Sequence, residues 1–161
     1  MILTFKTDEL LYDIANYSYV EGDIMSGDNI HAQHHTQDIV AEGNIDRVYR
    51  VLGLSHAEVT EMLYPYSKSL ELSSKLDNID TQPREYEIVI KLTEGFSETT
   101  LQLLRHLIHE YMVSAVLADW LSITNPNSAP NWETKKEALK YRIKTCLTNR
   151  TGKLTRKMSP F

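Results

Sequence analysis

Several protein classes are excluded by what this sequence lacks. One cysteine, Cys146, stands among 161 residues, so no internal disulfide can form and nothing points to an oxidising compartment. Glycine (6) and proline (5) are sparse, which sets aside collagen-like and low-complexity chains. No apolar run approaches the roughly 20 residues that a membrane helix needs. The opening MILTFKTDELL has no basic stretch leading into an apolar one, so no secretory signal is expected.

Catalytic signatures are missing too. There is no glycine-rich phosphate loop, no G-x-S-x-G turn and no convincing cysteine–histidine pair. Cys146 lies between Ile143 and Leu147 at helical spacing and reads as a small core residue. The sequence therefore points away from an enzyme, and no cofactor is expected.

What is present is an ordinary globular composition, 42% hydrophobic and 24% charged. A chain of this length buries roughly 70% of its unfolded surface and folds without staples. Its charge is strongly segregated. Residues 1–132 carry 8 Lys/Arg against 20 Asp/Glu, a net of −12, while residues 133–161 carry 9 against 2, a net of +7. Such a basic end can bind nucleic acid phosphates, dock on the acidic body of an identical subunit, or form a solvated face and tail.

Hydrophobic periodicity predicts mostly helix. Thr7 is placed to cap a first helix carrying Leu10, Leu11, Ile14 and Tyr17, which Gly22 should stop. A polar, histidine-rich stretch follows, with a helix near 28–41. Ile45, Val48, Tyr49 and Leu52 mark a short helix that Gly53 should end, and Ser55 with Glu58 forms a capping box for another. Beyond Pro83 the period changes to two. Over about 85–92, Tyr86, Ile88, Ile90 and Leu92 share one face, a half-buried strand signal. Ser97 caps a long helix of about 98–123 whose apolar residues cover more than one stripe, as in a central helix. Trp120 and Trp132 flank the next turn and are expected to staple a helical hairpin. A last helix runs from Pro130 to about 149.

The expected fold is thus mainly α, a multi-helix bundle around the helix at about 98–123 with one minor β-element at about 85–92. A single helical domain over 1–149 is followed by a basic, extended tail over 150–161. The strand needs a partner. Met1–Phe5 can supply one within the chain; otherwise Tyr86, Ile88 and Ile90 would meet an edge in another subunit. In the tail, Arg150, Lys153, Arg156 and Lys157 supply charge and Met158 and Phe161 apolar anchors, as a docking peptide would. Lys135, Lys136, Lys140 and Lys144 line one side of the last helix, the basis of the nucleic-acid alternative.

Six histidines raise the question of a metal. His31, His34 and His35 have helical spacing, with Asp28 and Asp38 nearby, yet a zinc shell needs three or four fixed ligands. They are the metal candidates, and exposed side chains are the favoured alternative. His106 and His109 sit one turn apart in an order unlike a metalloprotease helix and read as partly buried, hydrogen-bonded residues.

Tyr111, the run Val116-Leu117-Ala118-Asp119-Trp120-Leu121, the turn Thr124-Asn125-Pro126, Trp132 and the ending from Asn149-Arg150-Thr151-Gly152 to Ser159-Pro160-Phe161 resemble small prophage-encoded proteins of gut bacteria. Tyr19-Val20-Glu21-Gly22-Asp23 and Leu63-Tyr64-Pro65-Tyr66 extend the resemblance over most of the chain. In size, helical content and tail, the chain also resembles phage head–tail connector and completion proteins. That resemblance implies a virion-assembly protein that forms homo-oligomers and docks on other phage structural proteins, in the bacterial cytoplasm or the virion, with no active site. The strand at 85–92 departs from a purely helical connector.

Overall fold

A computed structural model describes residues 1–25, 27, 29–67 and 82–148. The tail expected over 150–161, with Arg150, Lys153, Arg156, Lys157, Met158 and Phe161, lies outside the described residues, as do Asp28 and most of the polar connector before Pro83. Two strands and six helices follow one another as β1 (Ile2–Lys6), α1 (Thr7–Ile24), α2 (Ile30–Gln37), α3 (Ile45–Met62), α4 (Tyr64–Ser67), β2 (Glu85–Val89), α5 (Glu98–Thr124) and α6 (Ala129–Cys146). The fold is mainly α with one small antiparallel ribbon.

α5 is the axis of the bundle. Leu104, Leu107, Ile108, Tyr111, Met112, Val113, Val116, Leu117 and Leu121 are all buried, and α5 packs on α1, α2, α3 and α6. Its start is the expected one: the Ser97 hydroxyl accepts from Thr100 N–H at 3.3 Å. Each core residue of this kind contributes about 1.5–3 kcal/mol by leaving water.

The strand at 85–92 has its partner within the chain. β1 and β2 pair antiparallel, with Leu3 opposite Ile88 and Phe5 opposite Tyr86. Tyr86, Ile88 and Ile90 face inward with Leu3 and Phe5, each at most 6% exposed. Their apolar face is closed by the chain's own helices, so these three residues do not form an outer docking face.

Three local expectations are corrected. Thr7 is the first residue of α1 rather than its cap, and its hydroxyl donates to the Pro83 carbonyl at 2.6 Å, tying α1 to the start of β2. Gly53 does not end a helix, nor does Ser55 begin one. α3 runs through both, and the buried Ser55 hydroxyl donates to Leu52 O at 2.9 Å. The cost of a helical glycine, about 1 kcal/mol, is outweighed by burying Val48, Leu52 and Val59 as one face. Gly22 lies inside α1, where the helix meets α2: an added Cβ would stand 2.5 Å from Gln37 Cγ and 3.1 Å from Gln33 O. The close approach, not a helix stop, requires glycine there.

The two tryptophans also act differently from a hairpin staple. Trp120 Nε1 donates to Thr36 O at 3.0 Å, joining α5 to α2, and Ser18 of α1 donates to the same buried carbonyl. Trp132 Nε1 donates to Glu21 at 3.0 Å, joining α6 to α1.

Candidate functional site

Two grooves among the described residues frame the candidate surface. The larger, of about 550 Å³, lies between the start of α1 and the middle of α5, bordered by Thr4 and Phe5 of β1. Asp8, Glu9, Tyr12 and Asp13 line it from α1, and Arg105, His106, His109 and Glu110 from α5. These positions recur at helical spacing, so each helix turns one face to the groove. His109 Nε2 donates to Asp13 at 2.6 Å. Glu110 receives Tyr17 Oη at 3.4 Å and Lys135 Nζ at 3.0 Å. The Lys135 ammonium also stands over the rings of Tyr17 and Trp132, 4.9 and 4.8 Å from their centres, a cation–π seam joining α1 and α6.

The same groove borders an unpaired strand edge. Met1 and Ile90 exchange both backbone bonds, at 3.0 and 2.8 Å, and Thr7 N–H reaches Arg84 O at 2.9 Å. In an antiparallel ladder such pairs alternate, so Leu3 and Phe5 bond inward to β2. The N–H and C=O groups of Ile2 and Thr4 then point away from the sheet and find no backbone partner among the described residues. The opposite edge is partly covered. His56 Nε2 of α3 donates to Glu87 O at 2.8 Å, and Lys91 N–H donates to Tyr66 O at 2.8 Å. The sequence reading missed this asymmetry, which the alternation of Ile2-Leu3-Thr4-Phe5 does not signal.

The second groove, about 300 Å³, lies between α3, α5 and α6 and includes Leu54, Glu58, Ala118, Asp119 and Lys136. Its charges are committed to neighbours. Arg47 holds Asp119 through two nitrogens at 2.7 and 3.1 Å, and Lys136 meets Glu133 at 2.7 Å. The Tyr111 hydroxyl donates to Glu58, and burial, reinforced by that carboxylate, holds its ionisation well above the ordinary phenol range.

His31, His34 and His35 are exposed on α2, which is anchored instead by buried Thr36. Among the described residues no group of three or more His, Cys, Asp or Glu is placed to hold a metal ion. His109 is half-buried and hydrogen-bonded, while His106 is exposed. The His109–Asp13 pair has the form of an oriented base, but no hydroxyl or thiol nucleophile bonds to His109 among the described residues. Cys146 is buried, its thiol 3.7 Å from Thr100 O. Of the basic stripe on α6, Lys135, Lys136 and Lys140 each pair with a carboxylate. No described helix is long and apolar enough to cross a membrane. No family model, curated protein or solved structure matches the chain.

Proposed function

We propose that this chain is a phage-derived structural or assembly protein, of the head–tail connector kind, that works by docking and self-association and carries out no bond-making chemistry. The observation that carries the reading is the segregation of charge, −12 over residues 1–132 against +7 over 133–161. Oppositely charged segments of identical chains steer one copy towards another. Exposed Tyr12, Tyr19, Ile24 and Ile30 on α1 and α2 add apolar contact area beside that acidic surface, the composition of an interface core with a charged rim. The grooves are open and held by internal pairs, which suits contact better than catalysis.

Binding of nucleic acid through α6 is the competing reading, and it is weakened by the ion pairs of Lys135, Lys136 and Lys140. Sedimentation of the full chain across salt concentrations tests the proposal. Association at low salt that dissolves as salt rises is expected, because Debye screening removes such steering. A monomer at every concentration and salt level overturns it.

A further inference from the structure

α1 and α6 are electrical opposites. α1 carries Asp8, Glu9, Asp13, Glu21 and Asp23 and no lysine or arginine. α6 carries five cations against Glu133 and Glu137, and among the described helices it alone has a positive net charge. Both helices have 18 residues, about 27 Å of axis.

Each keeps an exposed outer face. On α1, Asp8, Tyr12, Asn16, Tyr19 and Asp23 recur every three or four residues and are all exposed, with Glu9 and Val20 beside them. On α6, Ala138, Tyr141 and Lys144 share the exposed side, with Arg142 at its flank. The central rings stand well out of the surface, Tyr12 at 74% and Tyr141 at 71% exposure. Asp8 and Asp23 make no ion pair among the described residues, nor do Arg142 and Lys144. Glu137 also lies on this side of α6 and is taken by Lys140 at 4.0 Å. Tyrosines set among charges of one sign suit a contact surface, because a ring supplies apolar area and a cation can rest on its face.

These two faces cannot meet within one molecule. α1 and α6 touch through their other sides, where Trp132 Nε1 donates to Glu21 at 3.0 Å and the Tyr17 and Trp132 rings lie 5.1 Å apart. Glu21 is nine residues from Tyr12, and Trp132 nine from Tyr141. Nine residues make about two and a half helical turns, so both tyrosines point away from that contact. The oppositely charged face that the molecule itself supplies is on a second copy.

We propose that the outer face of α1 in one copy docks antiparallel on the outer face of α6 in a second copy. Tyr12 has Asp8 and Glu9 one turn before it, and Tyr141 has Lys144 one turn after it. Antiparallel packing sets ring against ring and brings Arg142 and Lys144 to the carboxylates. The contact joins unlike faces, so a pair that has made it once still offers one α1 face and one α6 face. This rests on the self-association reading above and adds to it the two surfaces that meet.

Sedimentation of two full-length variants, singly and mixed, tests it. Y12K/Y19K puts cations on the α1 face, and R142Q/K144Q removes them from the α6 face; all four positions are exposed, so the fold accommodates the changes. Each variant alone is expected to stay monomeric at low salt where the native chain associates, its Kd raised by more than about tenfold. Mixed in equal amounts, the two should associate again and stop at two chains. The intact α6 face of the first then fits the intact α1 face of the second, and no other intact pair remains. Either variant associating like the native chain overturns the proposal while leaving self-association through other surfaces. A mixture that stays monomeric does the same. A native chain that is monomeric throughout removes self-association and this contact together.

Discussion

The two edges of the ribbon are built from strands of equal length and alternation, yet they meet different surroundings. β2 has α3 and α4 against it: His56 donates to Glu87 O, and Tyr66 O accepts from Lys91. Beside β1, the outward groups of Ile2 and Thr4 stand next to a groove that α1 and α5 border without filling. Strand chemistry does not distinguish them. The helices that pack alongside decide which edge finds partners outside the ribbon.

Three measurements sharpen or break that contrast. The largest effect is expected from the buried face. Ile88→Ala removes a side chain 1% exposed and should cost about 2–5 kcal/mol of unfolding free energy. Ile2→Ala, at a position 53% exposed, should cost under about 0.5 kcal/mol in the same denaturant titration. Equal losses would mean that the inner and outer faces of the ribbon are not distinct.

The next effect appears at alkaline pH. Burial, with a smaller contribution from Tyr49, pushes Tyr86 on β2 up to about 12 from an ordinary phenol value of 10.0. The folded value lies above the unfolded one, so the contribution is whole below pH 10 and is lost as pH rises from 10 towards 12. The loss is at most about 1.4 kcal/mol per pH unit. Stability measured at stepped pH should fall more gently in Tyr86→Phe than in the native chain; identical slopes would remove Tyr86 from the account.

The smallest effect tests the better-covered edge directly. His56→Ala leaves Glu87 O without its imidazole donor and should cost about 1 kcal/mol. The His56 ring also lies 5.3 Å from that of Tyr86, so thermal unfolding should register the change. No change in midpoint would mean that His56 does not help to close the β2 edge.

Much of the architecture is legible in the order of residues. The change of period at Pro83 announces β2, which ends at Val89 rather than 92, and the Ser97 cap and wide apolar coverage announce α5 almost to the residue, because long periodic segments leave few alternatives. Local signals misled where packing was stronger. Gly53 and the Ser55–Glu58 box look like a helix boundary, and a propensity of about 1 kcal/mol yields to a continuous face against α5. Thr7 looks like a cap and is drawn instead to Pro83 O, 76 residues away in sequence. Of the candidate site, the metal and strand-face residues were visible as types, but their exposure was not. His31, His34 and His35 lie in solvent, whereas Tyr86, Ile88 and Ile90 lie in the core.

Helical class, the central place of α5, the single alternating strand near 85–92 and the opposition of acidic body to basic end belong to the sequence alone, since each follows from periodicity or charge counted along the chain. The unequal cover of the two ribbon edges, the pairing of His109 with Asp13, and the joining of α1, α2 and α5 at the Thr36 carbonyl belong to the tertiary structure. Each depends on groups far apart in sequence, and only the packing of α5 against its neighbours brings them within hydrogen-bonding distance.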